Sequence, residues 1–136
     1  MEEKTNIYDG VIERLSFFKL DTLPEEISVL NYLISKVLHS INNITNQHYT
    51  EKTLPDDLYS IAVDKIAGEF LLFKKNSGNM SEIDFSPLEK QIQMGDTSIT
   101  YAIEGVTSPE KRLDILINYL INGRDNELIR FRRLVW

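Results

Sequence analysis

The stretch PEEISVLNYLISKVLHSINNI, from Pro24 to Ile44, decides the fold. Its apolar residues Ile27, Leu30, Ile34, Leu38, Ile41 and Ile44 step by three and four, the spacing of one helix face. Val29, Leu33 and Val37 widen the stripe, which predicts a helix buried on more than one side. It should end near Asn42 and Asn43 or shortly after.

The phrase that opens this helix returns along the chain. Thr22/Pro24/Glu25, Thr53/Pro55/Asp56 and Thr107/Pro109/Glu110 share it, and Ser86/Pro87/Glu89 is a fourth version. A hydroxyl can cap a free N–H, proline fits the first turn, and an acid meets the positive end of the helix dipole. The phrases therefore read as helix starts. A second long helix should begin at Pro55, bury Leu58, Ile61, Ala62, Ile66, Phe70 and Phe73, and stop at Asn76–Gly78. Gly68 inside it costs about 1 kcal/mol of helix propensity, so a neighbouring helix should approach closely at Ala67–Gly68. A short helix from Pro87 to Gln93 stops at Gly95. The last long helix, Pro109–Asn122, carries Leu113, Leu116, Ile117, Leu120 and Ile121 and closes at Gly123. A short amphipathic helix, roughly Ile7 to Phe18, comes first.

Between Gly95 and Gly105 the period changes. Thr97, Ile99, Tyr101 and Ile103 alternate with Ser98, Thr100 and Ala102, a strand signal. The expected fold is mainly α: a small helical bundle of four to five helices, with one short strand or hairpin near 97–103 and an extended C-terminal arm. Residues 1–123 form the bundle and 124–136 the docking arm, with no separate second domain.

The 136 residues suffice for one modest core. There is no cysteine, which excludes disulfides and thiolate metal sites. No apolar run approaches the ~20 residues of a membrane span. The start, MEEKTNIYDG, is acidic and polar and lacks the basic-then-apolar pattern of a secretory signal.

The residues offer no catalytic constellation. His39 and His48 stand nine apart without an acid at ligand spacing. Asp56 and Asp57 fall in a helix first turn, and Asp64 and Glu69 on the solvent side of that helix. Gly95-Asp96 faintly resembles an anion nest but lacks a following helix and a lysine. No serine has a His–acid partner set. The expectation is a protein that is not an enzyme and carries neither metal nor cofactor. Phe17, Phe18, Phe70 and Phe73 read as core.

Charge is unevenly spread. Residues 1–110 hold 9 Lys/Arg against 18 Asp/Glu, leaving −9, whereas 111–136 hold 6 against 3, leaving +3. The tail sets Arg130, Arg132 and Arg133 around Phe131, then runs Leu134, Val135, Trp136. Chain ends are usually polar, and Arg and Trp are enriched at interface hot spots, so this composition suits docking into another protein. The competing reading has the tail fold back onto the 97–103 strand of its own molecule. A small helical DNA-associated or regulatory protein, using the basic tail, is the functional alternative; the acidic body and the lack of a basic face disfavour it.

From Gly68-Glu69-Phe70 through Gln93-Met94-Gly95-Asp96-Thr97 to Arg130-Phe131-Arg132-Arg133-Leu134-Val135-Trp136, the order resembles the head–tail connector proteins of tailed bacteriophages. The likeness covers about residues 55–136. It implies a structural virion protein of the neck, assembled in the host cytoplasm into a ring, commonly of twelve subunits. Such a ring docks on the portal at the capsid vertex, extends the DNA channel and carries the next neck or tail-completion protein. DNA passes through without sequence-specific binding, and no membrane is involved. Carried over, Arg130 to Trp136 are the portal-docking residues. Gly95, Asp96, Thr97, Ile99, Tyr101, Ile103 and Glu104 lie near the channel or a subunit boundary.

Overall fold

One helix, Asp56–Asn76, is buried almost all round, because Leu58, Ile61, Ala62, Val63, Ile66, Ala67, Phe70 and Leu71 point in several directions at once. A helix apolar on so many sides needs neighbours on each of them. In the computed structural model, which describes residues 6–16, 24–77 and 109–132, it has them. We label the helices α1 (Ile7–Ser16), α2 (Ile27–Thr45), α3 (Asp56–Asn76), α4 (Pro109–Asn122) and α5 (Asp125–Leu128). Single 3-10 turns, Pro24–Glu26 and Ile129–Phe131, precede α2 and follow α5. Each of α1, α2 and α4 packs on α3.

Ion pairs fix the directions. Glu26 meets Lys74 and Lys36 meets Glu69, so α2 runs antiparallel to α3. Lys75 meets Asp114, and Lys65 meets Asp125 just beyond α4, which makes α4 antiparallel too. On the remaining side, the Tyr59 hydroxyl donates to the Asn6 carbonyl and Arg14 pairs with Asp64, so α1 runs alongside in the same sense. The core gathers Val11 and Leu15, Leu30, Leu33 and Ile41, the α3 residues, and Leu116, Ile117 and Leu120. Burying a side chain such as Phe70, which is fully enclosed, contributes about 1.5–3 kcal/mol.

The mainly helical class expected from the sequence holds for the described residues, among which there is no strand. The short helix at 87–93, the strand near 97–103 and Phe17–Phe18 fall outside those residues. So do the phrases at Thr22, Ser86 and Thr107, and the tail from Arg133.

Three local expectations need correction. Ile27 and Ile44, assigned to the buried stripe, are 41% and 40% exposed. They stand at the two ends of α2, where the packed length of the stripe runs out; its buried set is Leu30, Leu33, Ile34, Val37 and Ile41. Thr53 does not cap α3. Its hydroxyl accepts the Thr50 N–H at 2.8 Å, closing a turn before the helix, while Pro55 holds the N-cap position without a side-chain cap bond. The hydroxyl had a nearer backbone partner, a competition typical of Ser and Thr. Asp64 is not on the solvent side, as the next section describes.

The end of α2 is legible in detail. Asn46 takes the left-handed conformation (φ 56°) and its N–H bonds back to the Asn42 carbonyl. Asn tolerates that region better than most residues. The Asn42 amide then clamps Tyr49, donating to its carbonyl at 3.0 Å and accepting its N–H at 2.9 Å.

Candidate functional site

The described part of the C-terminal segment is where charged side chains from three elements converge. Gly123 follows the last residue of α4, and a Cβ there would lie 2.5 Å from the Tyr119 ring and 2.6 Å from its carbonyl, so glycine fits where a side chain would not. The chain then turns, and Arg124 and Asp125 come to face Asp64 and Lys65 of α3. The pairing is reciprocal: Arg124 with Asp64, and Lys65 with Asp125.

Arg124 is the hub. Its Nη1 donates to the Ser60 hydroxyl at 2.6 Å and to Asp64 Oδ2 at 3.3 Å. Its Nε and Nη2 donate to the two carboxylate oxygens of Glu127, at 2.7 and 3.3 Å. The other oxygen of Asp64 accepts from Arg14 Nε at 3.0 Å, which brings α1 into the cluster. Lys65 is nearly enclosed and donates to the Ile121 carbonyl at 2.6 Å, so its ammonium meets a helix C-terminal carbonyl as well as Asp125. The favourable sign of a cation at that helix end adds to the pair.

Beyond this cluster, Leu128 inserts fully into the core, where α5 meets α2. Phe131 is partly buried, and its carbonyl accepts from Gln47 Nε2 at 3.1 Å. Residues 124–131 are therefore helical turns laid on the bundle, not an extended arm from residue 124 onward. Ile129 is 63% exposed, Arg130 and Arg132 are exposed, and Arg130 sits 5.9 Å from the Phe131 ring centre, a cation–π distance. Of the expected docking residues, Arg130, Phe131 and Arg132 are thus placed together. Arg133, Leu134, Val135 and Trp136 lie outside the described residues, as do Gly95, Asp96, Thr97, Ile99, Tyr101, Ile103 and Glu104.

The sequence reading missed Arg14, Asp64, Lys65 and Asp125 as a set. Only the Arg124-x-x-Glu127 spacing carried a signal, since residues three apart share a helix face. The rest are brought together by helix packing over some 50–60 residues of chain.

The arrangement can hold a segment in place. Each charged group in it is matched by an opposite charge or a carbonyl. Among the described residues no group of three His, Asp or Glu side chains could hold a metal ion. His39 and His48 are both exposed, on α2 and in the following loop. A cleft of about 220 Å³ lies beside the cluster, lined by Lys36, Ile44, Lys65, Glu69, Ile121 and Asp125, and its cations are offset by its anions. No described helix is long and apolar enough to cross a membrane.

The Arg124 hydrogen bond holds the Glu127 carboxyl below its usual range; burial opposes this, and the charges of Arg124 and then Arg130 add to it. The same bond to Glu127 raises the Arg124 guanidinium, with burial opposing and Glu127 and Asp64 assisting. A carboxyl depressed in the folded state contributes stability that is complete above its unfolded value, about 4.3, and is lost as pH falls through the lower folded value. A carboxyl-carbon NMR titration should therefore give Glu127 a midpoint below about 4.3, and Arg124→Gln should return it to about that value. An unchanged midpoint in the variant would assign the depression to something other than Arg124.

Comparison of the chain with protein-family models, with curated proteins and with solved structures finds no match.

Proposed function

We propose that this chain is a structural virion protein, a head–tail connector that forms a ring on the portal, extends the DNA channel and carries the next neck or tail-completion protein. One observation carries the reading: Gly95-Asp96-Thr97 and Arg130-Phe131-Arg132-Arg133-Leu134-Val135-Trp136 occur in this order behind a helix ending in Phe70-Leu71-Leu72-Phe73-Lys74-Lys75. That order resembles the connector family. A helical subunit with an acidic body and a basic end fits it, because a ring needs two different faces on each copy. In this reading the 97–103 segment is a strand near the channel or a subunit boundary. The arm that enters the portal starts where the packed turns stop, close to Arg132.

The test follows from that boundary. Deleting Arg133–Trp136 removes no residue of the described core, whereas a longer deletion takes Phe131 and its bond to Gln47. The truncated protein should keep its helical circular dichroism and thermal midpoint while its binding to purified portal falls at least tenfold, about 1.4 kcal/mol. Binding equal to that of the full chain would remove the docking arm. Salt-dependent binding of the full chain to duplex DNA, with none to portal, would favour the alternative of a DNA-associated protein. Electron microscopy of particles should show the subunit as a ring at the neck.

A further inference from the structure

We infer that residues 124–131 form a charge-latched strap that opens as a unit while α1–α4 stay folded, lengthening the tether to everything downstream. The inference stands on the packing of this segment and does not depend on the connector reading.

The strap has little of its own to hold it. A four-residue helix and one 3-10 turn are far below the length at which isolated helices persist in water. Its apolar attachment is Leu128, enclosed, with Phe131 half-covered, while Ile129, Arg130 and Arg132 face solvent. What remains is polar. Arg124 reaches Ser60, Asp64 and Glu127; Lys65 reaches Asp125; Gln47 reaches the Phe131 carbonyl. Asp64 also keeps Arg14, so it stays paired when Arg124 leaves. The latch can thus open without stranding an anion against the bundle. Lys65 likewise retains the Ile121 carbonyl of α4 when Asp125 departs. That asymmetry distinguishes the strap from a core element: its charged partners on α3, Asp64 and Lys65, have second partners that remain.

Gly123 marks the hinge, since α4 ends at Asn122 and the first strap contact is Arg124. Closed, the chain leaves the bundle near Arg132, beside Gln47. Open, it leaves at Gly123, and the eight freed residues add roughly 25 Å of reach at ~3.3 Å each. Asp125 and Glu127 are 44% and 40% exposed, so salt reaches the strap's side of these pairs and ionic strength or a competing acidic surface shifts the balance.

Hydrogen exchange on the full chain, read by mass spectrometry, tests this. In low salt, peptides covering 125–132 of Arg124→Gln should exchange at least tenfold faster than in the parent, with peptides from α3 and α4 unchanged. One molar sodium chloride should speed the same peptides in the parent and do so less in the variant, where only the Lys65–Asp125 pair is left to screen. Unchanged exchange of 125–132 in the variant would mean that Leu128 and the remaining bonds hold the segment without Arg124, and the latch falls. Equal acceleration across α1–α4 would make the segment part of the core, which also overturns it.

Discussion

Replacing Lys74 with Met should cost about 3–5 kcal/mol, although the new side chain is similar in length and apolar. Lys74 and Glu26 are 4% and 5% exposed, and the ammonium donates to both carboxylate oxygens, at 2.9 and 3.2 Å. Each charge also suits its helix end: Glu26 stands at the N-cap of α2 and Lys74 in the last turn of α3, where the dipoles favour those signs. Taking away the cation strips an enclosed carboxylate of the ammonium that donates to both its oxygens, the expensive way to break a buried pair. The second variant decides the cause. Glu26→Leu added to Lys74→Met should recover most of the loss, because a buried pair replaced entirely by apolar groups is often neutral or stabilising. Urea unfolding of parent, single and double variants measures this. A single variant within 1 kcal/mol of the parent, or a double variant worse than the single, would contradict this account.

The second large effect belongs to Gly68. A Cβ there would lie 2.8 Å from Leu120 Cβ and 2.9 Å from Ile121 Cγ1, with the Ile121 backbone nitrogen at 3.3 Å. Leu120 Cβ is fixed to its backbone, so rotation of a flexible side-chain end cannot make room; α4 itself must move. Overpacking of this kind costs about 1–3 kcal/mol. Gly68→Ala regains up to ~1 kcal/mol of helix propensity, so its net loss should be about 1 kcal/mol. Gly68→Val adds two more methyl groups and little propensity, and should lose about 3 kcal/mol. Thermal midpoints of the two variants give the ordering; Ala more stable than the parent would mean that the α3–α4 contact is looser than the structure has it.

How much of this was legible beforehand differs from element to element. The α2, α3 and α4 helices were readable because their apolar residues recur at helical spacing and each runs into a polar or glycine stop: shortly after Asn42–Asn43, at Asn76–Gly78 and at Gly123. Gly68 was readable as a close approach because an unfavourable residue inside a strongly patterned helix needs a packing reason. The partner helix was not readable, since the steps of α1, α2 and α4 fit α3 equally well. Asp64 failed for a related reason. An acid among the apolar residues of a helix looks like a solvent residue until Arg14 and Arg124 arrive from 50 and 60 residues away. The beginning of the tail was misread as extended because its charges drew attention from Leu128, one apolar residue with a complete seat in the core. No periodicity announces a single anchor.

The order of the helices has a cost during synthesis. The flank of α3 around Gly68 is covered by α4, yet 32 residues separate Asn76 from Pro109. Leu120 and Ile121, which cover that flank, come later still, so at 5–20 residues per second a ribosome takes about 2–9 s after Asn76 to supply them. A half-made chain therefore presents an apolar helix side to its neighbours on the same message, and fragments that stop before Pro109 should aggregate when expressed, however well their own three helices pair.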